Sequence, residues 1–179
     1  ELRIDPYYRQ IARVHPVLLS AVDELVSDLN GHRHCLVHGD FSPKNMLVAD
    51  TEVIRLMLLD FEVGHYGDPA FDLGFFLTHL VIKSIRESSL AVQYAKMAQF
   101  FIEEYQRVLL PRVGAAVVAE IERRSCTNLG ACLVARVDGK SPVEYLSDPE
   151  HQEAVRQLGK RLLLEGMERV ENVWDPKIV

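Results

Sequence analysis

The first 37 residues of this 179-residue chain contain no lysine and a single glycine, Gly31. That stretch therefore offers neither a glycine-rich phosphate-covering loop nor a lysine to pair with phosphates. Cysteine is scarce as well. Cys35, Cys126 and Cys132 are odd in number and show no close pair at metal-ligand spacing. Free thiols are the expectation, with a Cys126–Cys132 disulfide as the minor alternative. No apolar run approaches the roughly 18 residues needed to cross a bilayer, and no signal-peptide pattern opens the sequence. A cytoplasmic protein with no membrane partner is expected. Positive charge is in deficit, with 20 Lys and Arg against 26 Asp and Glu. A net charge of -6 argues against a nucleic-acid partner, because phosphate backbones demand clustered cations. It would suit a cationic substrate, although solubility alone accounts for it.

What is present reads as one domain. Hydrophobic content of 48% with 26% charged residues is ordinary for a globular protein able to bury a sizeable core. Apolar spacing predicts a helix over Pro16 to Leu29, and His34 to Val37 reads as a short strand. Met46-Leu47-Val48 and Val53 to Leu59 read as two strands around an Asp50-Thr51-Glu52 turn. A loop with Gly64, Gly67 and Pro69 follows. Helical patterns then run from Ala70 to about Glu87, from Leu90 to Leu110 with Pro111 as the stop, and from Gly114 to about Arg136. A last helix opens at Asp148-Pro149-Glu150 and is expected to reach about Val173. The fold class is mainly α with a small β-hairpin.

The densest chemistry lies in His38-Gly39-Asp40-Phe41-Ser42-Pro43-Lys44-Asn45, with Asp60-Phe61-Glu62 fifteen residues after the asparagine. One carboxylate, an amide five residues on, and a second carboxylate across a strand-turn-strand suit phosphoryl transfer. One group accepts the proton of a hydroxyl, and two hold the divalent cation that bridges nucleotide phosphates. The hairpin would return Asp60 beside Asn45, so that their oxygens share one hard cation.

These residues, with Gly67-Asp68-Pro69-x-x-Asp72-Leu73 downstream, resemble the aminoglycoside phosphotransferase and choline kinase family. Its members are small-molecule kinases with a protein-kinase-like fold. The resemblance implies that residues 1–179 form one lobe, the C-terminal helical lobe of such a kinase, with catalytic loop and metal hairpin over 38–62. It implies ATP as co-substrate, Mg²⁺ as cofactor and a small-molecule alcohol as acceptor. The family's nucleotide-binding lobe is not legible before His38, and the start at Glu1 without a methionine fits a fragment. The expectation is a catalytic lobe inactive by itself, with an exposed surface open to self-association. A non-catalytic, pseudokinase-like binding module is the alternative. A hydrolase using His38 with Asp40 lacks a nucleophile at a recognised spacing.

On this reading Asp40 is the catalytic carboxylate, expected to face a solvent-filled cleft, while Asn45 and Asp60 hold the metal and through it the nucleotide. His38 is read as structural, Asp72 as an anchor for the catalytic loop, and Phe61 as a packing residue. Lys44 could neutralise phosphate, but a solvated loop lysine explains it better. Ser42 stands where serine/threonine protein kinases carry a lysine. Glu62 replaces their glycine, with only about eight residues before the next helix, too few for a phosphorylated activation loop. The substrate is not legible. Glu150, Glu153 and Glu168 could face a cation, or form an exposed charged helix surface. Arg136, Asp138 and Lys140 are a second candidate rim.

Overall fold

The computed structural model of the chain describes residues 4–49 and 53–175. A π-helical turn, Ile4–Arg9, runs into α1 (Gln10–Val14), and a 3₁₀ turn at Pro16–Leu18 leads into α2 (Leu19–Gly31). Strand β1 (Cys35–Val37) feeds the loop that begins at His38. Strands β2 (Met46–Ala49) and β3 (Arg55–Leu58) pair antiparallel, with Met46 opposite Leu58 and Ala49 opposite Arg55. The turn expected at Asp50-Thr51-Glu52 lies outside the described residues.

One strand was not legible. The expected loop around Gly64 and Gly67 contains β4 (His65–Gly67), which pairs antiparallel with β1. A three-residue strand is too short for alternation to register. The pairing closes the segment after Asp60 back onto the strand that leads into the loop carrying Asp40, so one small sheet flanks both halves of the motif.

Four helices make the body: α3 (Pro69–Arg86), α4 (Ala91–Val113), α5 (Ala115–Asp138) and α6 (Pro149–Glu165). Two helix ends differ from expectation. Pro111 lies inside α4, which continues to Val113 and stops at Gly114, whose φ is 83°. A proline in the final turn forfeits one backbone bond there and need not end the helix, whereas a left-handed glycine does. Helix α6 stops at Glu165 rather than near Val173. Gly166 has φ 74°, and Val170–Trp174 is a separate 3₁₀ segment. That segment is held by the Val170 amide donating to Glu122 Oε1 at 2.9 Å and by Trp174 Nε1 donating to Ser84 Oγ at 3.2 Å.

Helices α3 and α5 form the spine. On one side Leu77, Leu80, Leu129, Leu133 and Leu162 are buried with Val155 of α6. On the other, Tyr8, Ile11, Leu18 and Val22 pack on Phe71, Phe75 and Cys132. Each such side chain contributes about 1.5–3 kcal/mol by burial. The spine is tight at Gly74, where an added Cβ would lie 2.7 Å from the Ser125 carbonyl oxygen. A glycine that reads as merely tolerated in the helix is required by the close approach of α5. Asp68 starts α3 by accepting from the Ala70 amide at 3.0 Å. It also pairs with the buried Arg124 of α5, at 2.8 and 3.2 Å. The architecture is mainly α with a small β-hairpin, as the patterning predicts, together with the second two-stranded sheet of β1 and β4.

Candidate active site

The loop that carries Asp40 is suspended from α3. Asp72, in the helix's first turn, accepts from the His38 amide at 2.6 Å and from the Gly39 amide at 2.9 Å. Burial pushes the Asp72 carboxyl up from its ordinary value, while those two N–H groups pull it the other way. Gly39 has φ 78°, and a Cβ there would meet the Val63 carbonyl oxygen at 2.8 Å, so this turn excludes any side chain.

His38 is structural, as read from the sequence. It is buried, and its Nε2 lies 2.9 Å from the Leu59 carbonyl oxygen. The Asp40 amide approaches its Nδ1 at 3.3 Å. Nδ1 is thus an acceptor, which puts the ring proton on Nε2, donating to Leu59. The same ring packs against Phe61 at 4.4 Å. His38 therefore ties the loop carrying Asp40 to the strand end carrying Asp60.

Asn45 completes the frame. Its Nδ2 donates to the Asp40 carbonyl oxygen at 2.9 Å, and its own carbonyl accepts from the Leu59 amide at 2.9 Å. Asp40 and Asn45 are thus joined directly, and Asp60 stands one residue beyond Asn45's partner across the hairpin. Asp60 is exposed and has φ 66°, the one positive φ at a non-glycine residue among those described. Aspartate enters that region more readily than most residues, and such conformations cluster at functional sites.

Asp40 departs from expectation in one respect. It is 5% exposed rather than open to a cleft, and Lys44 Nζ lies 3.1 Å from its Oδ2. The lysine side chain is itself largely exposed, so it sits over the carboxylate at the surface. A lysine four residues on within one tight loop was the available signal.

The other candidate residues separate. Glu150 and Glu168 are exposed, and Glu153 is exposed and pairs with Arg156. Of the second rim, Lys140 is exposed and Asp138 is tied to His15 and Arg156. Arg136 turns inward and is buried. The three cysteines are free thiols; burial, followed by the charges of Glu122 and Glu168, pushes Cys126 up to about 12.

With this geometry in view, residues 2–111 match the ecdysteroid kinase-like family. The chain belongs to that family. It is also similar to a 4-hydroxytryptamine kinase of Psilocybe cyanescens, at 26% identity over 146 residues. That alignment covers 79% of this chain and 37% of the relative, so the chain spans little more than a third of the relative's length. The expectation of a small-molecule kinase family holds at that level. The family match contains the whole loop from His38 to Asn45, the β2–β3 hairpin and α3.

In this ecdysteroid kinase-like chain the donor chemistry fits a hard cation. Asn45 Nδ2 is committed to the Asp40 carbonyl, which leaves Oδ1 as the amide's acceptor, and Asp60 offers an exposed carboxylate. Among the described residues no group of three His, Cys, Asp or Glu converges as a metal cage. An amide oxygen and one carboxylate, completed by water and phosphate oxygens, is how Mg²⁺ is commonly held.

Proposed function

We propose that this chain supplies the catalytic lobe of an ATP- and Mg²⁺-dependent kinase that phosphorylates a hydroxyl of a small molecule. The observation that carries the reading is the single frame formed by Asp40, Asn45 and Asp60. Asn45 bonds to Asp40 on one side and to the strand leading into Asp60 on the other, while His38 and Asp72 hold both from behind. The finer kinship to aminoglycoside phosphotransferases and choline kinases belongs to this proposal, supported by the His-Gly-Asp loop and the Asp60-Phe61-Glu62 turn.

In the reaction, the substrate oxygen forms a bond to the γ-phosphorus as the bond from that phosphorus to the β-bridging oxygen breaks, releasing ADP. Asp40 orients the hydroxyl and receives its proton. A loose transition state asks for positioning more than for early deprotonation, so a carboxylate suffices as base. Lys44 lies against the same carboxylate and holds it in place. Mg²⁺, held by Asn45 and Asp60, would neutralise charge on the phosphates. The segment that covers the nucleotide is proposed to lie outside residues 1–179. Residues 1–37 offer no lysine for it, and the β2–β3 hairpin exposes apolar side chains of the kind such a segment would cover. A cytoplasmic location belongs to the same reading. It is supported by the free thiols.

The test uses the longest natural polypeptide that contains residues 1–179. Asp40→Asn, nearly isosteric and therefore kind to a buried site, should lower turnover by about 10²–10⁴-fold with a melting temperature close to that of the parent. ADP release coupled to an alcohol screen reads the first, and calorimetry the second. Full activity in the variant would refute the assignment of Asp40.

A further inference from the structure

Arg136 is the least explained charge in the molecule. Its side chain, in the last turns of α5, is 8% exposed. Nη1 donates to the Ser141 carbonyl oxygen at 3.0 Å, while among the described residues Nε has no hydrogen-bond partner and no carboxylate pairs with the guanidinium. The nearest carboxylate in sequence, Asp138, is already committed to His15 at 2.6 Å and to Arg156 at 2.7 and 2.9 Å. Instead the guanidinium lies between two rings, 5.3 Å from Tyr7 and 5.0 Å from Phe75. Ring faces attract a cation, but they do not replace an anion for a buried one.

A second buried group beside it is also incomplete. His79 is 8% exposed, and its ring packs against Phe75 at 5.7 Å. Nδ1 is 3.1 Å from the Tyr145 hydroxyl, whereas Nε2 has no partner. His79 lies on the face of α3 that meets the catalytic loop. On that face Asp72 binds the His38 and Gly39 amides, and Phe76 reaches Phe41 at 5.5 Å. Positions 72, 76 and 79 follow one helical face, about 10 Å from end to end. His79 feels the charges of Asp40 and Lys44 as well as those of Arg136 and Lys83, consistent with a place between the loop and α5. Arg86, over the Tyr145 ring at 5.4 Å, adds another cation to this side. In the catalytic loop itself, Ser42 Oγ is buried and unpartnered. A protein of net charge -6 has thus gathered Arg136, Lys83 and Arg86 around His79 and Tyr145, and none of the three forms an ion pair among the described residues.

We propose that Arg136 and His79 form an oxyanion subsite, and that the hydroxyl compound phosphorylated here bears a carboxylate, phosphate or sulfate group. The proposal rests on the kinase reading for the word substrate, but not for the binding site. A bound oxyanion would take hydrogen bonds from the guanidinium and from His79 Nε2–H, with the Tyr145 hydroxyl donating to Nδ1. It would supply the counter-charge that the fold omits, and charge-assisted bonds of this kind are the strong ones. A cationic amine at the same place would face Arg136 directly.

The experiment needs no ATP. The 179-residue chain, with labelled histidines, is titrated with inorganic phosphate, sodium acetate and sodium sulfate, against sodium chloride at matched ionic strength. The His79 ring signals and the melting temperature are followed. At least one of the three oxyanions should move the His79 signals saturably and raise the melting temperature, chloride should do neither, and the tighter binder identifies the class. Arg136→Met keeps the stem and removes the unpaired charge, so it should fold at least as stably while weakening the oxyanion about tenfold or more. Absence of saturable shifts in the parent chain overturns the subsite whether or not the variant folds. So does binding that survives in Arg136→Met. Saturable binding together with failure of the longer polypeptide to form ADP would sink the kinase reading and leave the subsite standing. Turnover that favours amine-bearing alcohols and ignores Arg136→Met would do the reverse.

Discussion

At the scale of single residues, the groups with the most to say are those whose surroundings leave a bond unmade. His79 is pressed by burial, and then by the nearby charges of Arg136 and Lys83, from its ordinary 6.5 down to about 4. The unfolded chain therefore takes up this proton before the folded one does. The stability it contributes is fully present above about pH 6.5 and is lost as pH falls towards about 4, with no further loss from this group below that. The full difference corresponds to about 3 kcal/mol. Urea unfolding of the chain at pH 7.5, 6, 5 and 4 should show the decline, and His79→Gln should flatten it. An unchanged slope in the variant would mean that other groups carry the acid sensitivity. A bound oxyanion would work in the opposite sense, by favouring the imidazolium.

At the scale of elements, packing overrides pattern in identifiable places. Gly74→Ala shows how strictly: an added methyl must push the Ser125 backbone or the Asn128 Cβ, both within 2.8 Å of its ideal position. Such overpacking between two spine helices costs about 1–3 kcal/mol, readable as an earlier unfolding midpoint with an unchanged denaturant slope. A neutral result would mean that α3 and α5 slide apart without penalty. The same contrast explains what could be read in advance. The β2–β3 hairpin, α3 and α5 were legible from local period, and the start at Asp148 from its capping residue and N1 proline. β4 was not, because its pairing partner β1 is some thirty residues away. The early end of α6 had a local signal in Gly166, overshadowed by apolar residues that continue beyond it. Within the candidate site, motif spacing singles out Asp40, Asn45, Asp60 and His38, and the family resemblance points to Asp72. Arg136 was legible only as part of a candidate rim and His79 not at all, since nothing in a sequence says that a buried cation lacks its counter-ion.

At the scale of the whole molecule, one surface is unlike the rest. Leu47, Val48, Val53, Ile54, Leu56 and Met57 are all exposed on or beside the β2–β3 hairpin, Ile54 to 74%. Leu36, Phe61 and Tyr66 extend the patch towards the loop that carries Asp40. Apolar strands left open on both faces associate readily. The 179-residue chain should therefore sediment as concentration-dependent oligomers and bind a hydrophobic dye. Met57→Lys with Leu47→Glu should return it to a monomer without lowering the melting temperature. A monomeric parent chain at high micromolar concentration would contradict this.

Asp72 joins two timescales that many enzymes keep apart. Because the amides of His38 and Gly39 end on a carboxylate rooted in the first turn of α3, the loop has no hinge of its own on that side. It can lose its shape only when the start of the helix lets go, and that start is pinned by Asp68 to the buried Arg124. Loss of catalytic competence and loss of the fold should then be one event rather than two, so that a population folded but disarranged at its loop has nowhere to accumulate.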